Sequence, residues 1–128
     1  MTTTWARINL DEVDDMAPRF GMEAFGESRF LRDQVGAETI GASLYRIRPG
    51  ARPGFGHRHA EAEELYVVLS GTGRIRLDEE VVDLRPMDAV RVAPPVMREL
   101  EAGPDGMVVL AFGTHVDGDA EMQPGWWS

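Results

Sequence analysis

The sequence contains no lysine; all 13 of its basic residues are arginine. That removes a Schiff-base amine and a phosphate-loop lysine from consideration. Cysteine is absent as well. A thiol nucleophile, a disulfide framework and a thiolate metal site are therefore excluded. Any metal would have to be held by histidine and carboxylate. No apolar run is long enough to span a bilayer. The opening MTTTWARINLDEV lacks the apolar core and small-residue cleavage site of a secretory signal. A cytoplasmic protein is the expectation. Positive charge is also in deficit, with a formal net charge of −9. Such a surface repels phosphate backbones and anionic lipid, so neither nucleic acid nor a membrane is the expected partner.

What is present is a strong β signal in a chain of 128 residues, enough for one domain with one core. WARINL (5–10) reads as a short edge strand. DEVDDMAPRFGMEAF reads as loop or one weak helical turn, because Pro18 and Gly21 break longer helices. From SRFLRDQV (28–35) the pattern turns β-like. IGASLYRI (40–47), EELYVVL (63–69) and RIRL (74–77) follow, then EVVDL, AVRVA, VMREL and GMVVLAF. The joints are SGTG (70–73), DEE, RPMD, PP and EAGPDG. Short alternating or β-branched runs separated by Gly, Pro and Asp predict an all-β fold, a sandwich or a closed barrel of the jelly-roll type. Residues 1–39 form an N-terminal segment packing on the barrel, 40–113 the barrel core, and 114–128 a loop-like tail. Trp126 and Trp127 are expected to pack on the domain or on a partner subunit.

Chemistry concentrates in GFGHRHAEAEELYVVLSG, residues 54–71. His57 and His59 have strand period, so their side chains share a face and can reach one metal ion. Glu61 shares their parity. Glu64 joins them only if residues 60–63 bend and Glu64 starts a new strand; parity alone does not choose. A solvated, salt-paired histidine pair is the plainer alternative.

The same stretch resembles the first motif of the cupin superfamily: His-x-His, a short spacer, Glu, six residues, then Gly. His57, His59, Glu64 and Gly71 match it, which selects Glu64 over Glu63 and Glu61. The resemblance spans roughly residues 40–113 and implies a single-domain cupin barrel. The second cupin motif is not kept. In MDAVRVAPPVMREL, Met87 stands at its first Gly, Ala93 at its Pro, Pro95 at its second Gly, and Arg98 where a metal-binding histidine is expected. Two histidines and one carboxylate remain a sufficient set for Fe, Mn, Ni or Zn.

Arg98 then has three readings. It could bind a substrate anion, pair with Glu64 in a metal-free pocket, or lie exposed on a strand edge. Tyr66 shares the parity of Glu64 and would line the same wall. Arg46 and Arg48 share a strand face and could contribute to a pocket for an acidic ligand. His115 follows the last predicted strand and reads as a loop residue that could still swing in as a third nitrogen. The resulting expectation is a metal-dependent enzyme for a small organic, in one version anionic, molecule. The alternative is a non-catalytic ligand-binding or sensor cupin. A homodimer through WARINL and the tryptophan tail is also expected.

Overall fold

The computed structural model describes residues 4–128. The alternating and β-branched runs become antiparallel strands, as their pattern requires. These are β1 (Gly26–Phe30), β2 (Ile40–Ile47), β3 (Phe55–His59), β4 (Glu64–Leu77), β5 (Glu80–Leu84), β6 (Ala89–Val92), β7 (Arg98–Thr114) and β8 (Ala120–Pro124). One path of the sheet runs β1-β2-β7-β3-β8, and β4 pairs with β5, β6 and β7. The sheet curls around a core that includes Phe25, Ile47, Tyr66, Val68, Ile75 and Val109. No helix among the described residues is long and apolar enough to cross a membrane.

Two expected hairpins are absent. ELYVVL, SGTG and RIRL form the single strand β4, and REL, EAGPDG and GMVVLAF merge into β7. The two long strands pair from Glu64↔Gly113 to Leu77↔Arg98, with register shifts between Val68 and Ser70 and between Gly71 and Gly73. The glycines bend these strands where the sequence suggested reversal. Gly71 has φ +74°, and a Cβ there would lie 2.2 Å from the carbonyl oxygen of Gly106. Only a glycine permits that approach.

The edges also differ from expectation. WARINL forms no strand; Asn9 caps a short 3-10 turn over Leu10–Glu12. A 3-10 turn over Ala17–Phe20 occupies the predicted weak helical turn. SRFLRDQV divides between β1 and the one-turn helix α1 (Arg32–Val35). The tail is not all loop, because β8 pairs with β3 from Phe55↔Pro124 to His59↔Ala120. Every residue of β8 is exposed. Its sequence AEMQP therefore has no buried face to announce a strand; the unpaired edge of β3 recruits it. Beyond it, Trp126 and Trp127 pack on their own chain. The Arg76 guanidinium sits 4.0 Å over the Trp126 ring, and Arg52 lies 4.6 Å over Trp127.

Candidate metal centre

His57 and His59 close β3, and Glu64 opens β4. Between them the chain bends, and the bend has an identifiable cause. One oxygen of the Asp119 carboxylate accepts from the backbone N–H groups of Glu61 and Ala62, at 3.0 and 2.9 Å. The His59 N–H donates to the Pro94 carbonyl across 2.8 Å. The bend turns Glu64 back toward the histidines, while Glu61 stays exposed and Glu63 pairs with Arg91 at 2.9 Å.

One oxygen, Glu64 Oε1, is the centre of the cluster. His59 Nε2 lies 3.1 Å from it and His57 Nε2 3.4 Å. The Tyr66 hydroxyl donates to it across 3.0 Å. Arg98 Nη1 is 3.6 Å away, an ion pair longer than a hydrogen bond. One ligand atom from each of His57, His59 and Glu64 can be chosen so that all lie within 4.8 Å of one another. Separations near 3 Å are what atoms around one ion require, given metal–nitrogen and metal–oxygen bonds of about 2.0–2.2 Å. His59 Nδ1 is 2.8 Å from Asp119 Oδ1. A carboxylate behind a histidine in this way fixes the tautomer and aims the other nitrogen at a metal. The donor set therefore fits a divalent transition metal.

The electrostatics follow from crowding. Burial alone would raise the pKa of Glu64. Hydrogen bonds from His57 and His59, with the charge of Arg98, outweigh burial and hold the carboxyl far below the usual range. The hydrogen bond to Glu64 raises the pKa of His59 against the effect of burial, and Asp119 adds to it. Asp119 itself is lowered to about 2, mainly by His59. Burial and the Glu64 charge push Tyr66 well above the phenol range, so its hydroxyl stays a donor.

Arg98 is 1% exposed, which rules out a solvated strand-edge side chain. It faces His57 across the β3–β7 ladder, and that pair is the only register match between the two strands. Its Nη2 donates to the Ala93 carbonyl at 3.1 Å, whereas Nε and Nη1 donate no hydrogen bond. These groups border a cavity of about 530 Å³.

Arg46 and Arg48 are not brought to the cluster. Tyr45 faces the cavity, so its neighbour Arg46 points the other way. Arg46 pairs with Asp11 at 2.9 Å, and Arg48, past the end of β2, donates to the Glu23 carbonyl at 2.9 Å. His115 lies beyond β7 and contacts Asp117 at 2.6 Å, outside the ligand group. Asp119 is the member of the cluster that sequence reasoning missed. It sits in a tail of loop-like composition, and only the fold brings it beside His59.

Residues 43–110 match the family model described as the cupin domain. The chain belongs to the cupin family. No curated protein matches it. Among solved structures, a cupin protein from Bacteroides fragilis is 23% identical, covers 91% of this chain and 89% of its own, and has a TM-score of 0.73. A putative sugar phosphate isomerase from Acidithiobacillus ferrooxidans is 28% identical, over 74% of this chain and 63% of that protein, with a TM-score of 0.66. Oxalate decarboxylase from Bacillus subtilis is 15% identical and has a TM-score of 0.74, covering 89% of this cupin but 31% of the decarboxylase. The first and third likenesses are those of fold alone.

Proposed function

We propose that this cupin is a metal-dependent enzyme acting on a small organic anion, with His57, His59 and Glu64 as ligands of Fe, Mn, Ni or Zn. The observation that carries this reading is the convergence of both histidine Nε2 atoms on Glu64 Oε1, with Asp119 behind His59. When bound, the metal would supply a Lewis acid or oxygen-activating centre with open coordination positions. Asp119 holds the ring of His59. Tyr66 donates to Glu64 and fixes its rotamer. Arg98 is the cationic group beside the ligands and holds the anionic part of the substrate through its free N–H groups. The likeness at 28% identity to a putative sugar phosphate isomerase supports a small anionic substrate.

A second reading has its own observation. Arg98 Nη1 lies 3.6 Å from Glu64 Oε1. An internal ion pair of this kind suits a metal-free, non-catalytic ligand-binding cupin, since a nearby cation disfavours a dication. Metal analysis separates the two. Protein purified without a histidine tag, incubated with Fe(II), Mn(II), Ni(II) or Zn(II), is expected to retain stoichiometric metal, and His57→Ala to lose it. Absence of metal from both proteins would leave the ion-pair reading in place. The expected homodimer belongs to the same proposal, and sedimentation equilibrium tests it.

A further inference from the structure

His59 and Glu64 border two cavities, and the one that His57, Tyr66 and Arg98 also line has two unlike parts. His57, His59, Glu64, Tyr66 and Arg98 gather at one place in its wall. Most of the remainder is carbon, contributed by Phe20, Met22, Phe25, Phe30, Phe55 and Met122, with Ser28 and Glu99 as polar interruptions. The apolar wall reaches solvent. Phe25 is buried, whereas Phe20 and Met122 are more than half exposed. The rings of Phe20 and Phe30 meet edge to face with centroids 6.5 Å apart. A cavity of about 530 Å³ with such a lining lies in the range of small-ligand sites, which are mostly apolar with a few convergent polar groups.

A hydroxylated body such as a sugar needs a hydrogen-bond partner for each group it buries. This wall offers few. A flat or branched apolar body loses nothing by entering it and covers the exposed rim. The polar end sets a different demand. Arg98 is buried, and its Nε and Nη1 donate no hydrogen bond. Nη1 meets Glu64 only at ion-pair distance, 3.6 Å, and buried guanidinium donors without a hydrogen bond are costly, a demand a ligand carboxylate meets. Glu64 and Arg98 offset one another formally, so a bound dication would make this end cationic and attract an anion further. Glu99 also borders the cavity, where its Oε2 accepts from the Gly54 N–H at 3.1 Å.

We infer that the ligand of this cavity is a carboxylic acid with an aryl or branched-alkyl body, its carboxylate held by Arg98 and its body lodged among Phe25, Phe30 and Met122. The inference deepens the proposed small-anion function by naming the substrate class. It rests on that reading for the choice of site, though Arg98 can act without a metal.

Calorimetric titration with three probes tests it: 3-phenylpropanoate, the neutral 3-phenylpropanol, and glucose 6-phosphate. The titrations use metal-free protein and protein incubated with Zn(II), with metal content measured on the same samples. 3-Phenylpropanoate is expected to bind at least about tenfold more tightly than either other probe. Arg98→Gln, checked for folding by circular dichroism, is expected to abolish the advantage over the alcohol. Met122→Ser lies on the exposed rim of the cavity, so it supplies a test that holds even if Arg98→Gln does not fold. It is expected to weaken both phenyl probes severalfold and leave their ratio unchanged. Equal or tighter binding of glucose 6-phosphate overturns the inference. So does no binding of 3-phenylpropanoate, or a folded Arg98→Gln that keeps the carboxylate preference. Protein that binds 3-phenylpropanoate but takes up no metal removes the metal reading and keeps this one. Protein that takes up metal but prefers the sugar phosphate does the reverse.

Discussion

Asp119 illustrates how much one side chain from a distant segment decides. Its two oxygens serve different groups: Oδ1 meets His59 Nδ1, and Oδ2 caps the bend at Glu61 and Ala62. One carboxylate thus holds the His59 ring and sets the turn that returns Glu64 to the histidines. Asp119→Ala is expected to lower metal affinity by about 10–100-fold, the usual effect of losing the partner behind a ligating histidine. Competition against a chelator measures this. Asp119→Asn keeps an acceptor for His59 and is expected to fall between wild type and alanine. Unchanged affinity in Asp119→Ala would show that His59 needs no such support. Arg98 has the opposite character. It stands where the cupin motif expects a histidine; its Nη2 donates to the Ala93 carbonyl and its Nη1 meets Glu64 at 3.6 Å.

The strand that carries the histidines is weakly held on one side. β3 meets β7 at one residue pair, His57↔Arg98, and meets β8 along its whole length. The C-terminal segment is therefore a clamp on the strand of His57 and His59. Trp126 completes it by packing on Gly56, the residue before His57. A Cβ at Gly56 would lie 2.6 Å from Trp126 Cε3 and 3.1 Å from Met97 Cγ. Gly56→Ala should force the indole away and destabilise the fold by about 1–3 kcal/mol, the scale of overpacking. Urea unfolding reads this. A stability equal to wild type would mean that Trp126 moves freely and clamps nothing. The glycines of β4 and β7 work at the same scale, letting two continuous strands shift register without breaking their pairing.

Across the whole molecule, charge is unevenly distributed. The chain is acidic overall, yet three arginines surround the tryptophan tail, and two of them hold Glu101. Arg74 reaches Glu101 at 2.6 Å and Arg52 at 2.5 Å. Burial alone would raise the Glu101 pKa, but these hydrogen bonds outweigh it and lower the value. A folded-state pKa below the unfolded one, about 4.3, contributes stability above that unfolded value and loses it as pH falls through the folded one. Urea midpoints of wild type and Glu101→Gln should therefore differ most near pH 6 and converge below about pH 4. A difference that stays constant with pH would remove the linkage. Every other titrating group is shared by the two proteins, so the comparison isolates this one.

Much of the site was legible because it is local. His57, His59, Glu64 and Gly71 lie within one short stretch, where strand period and spacing constrain side-chain direction directly. The absence of lysine and cysteine excluded whole chemistries before any fold was considered. The all-β class followed from alternation, which reports a buried face. The sequence could not report what has no local periodicity. β8 is exposed along its length, so only the open edge of β3 made it a strand. The SGTG and EAGPDG segments carry glycines that serve a reversal or a bulge equally well, and the long β4–β7 pairing chose the bulge. Arg46 and Tyr45 differ in role because adjacent strand residues face opposite ways, and only packing says which way is inward. The bend that selects Glu64 depends on Asp119, more than fifty residues away in sequence. Local pattern determined which residues could form the site. Long-range pairing decided which of them meet, because hydrogen bonds between distant segments leave no imprint on the spacing within either one.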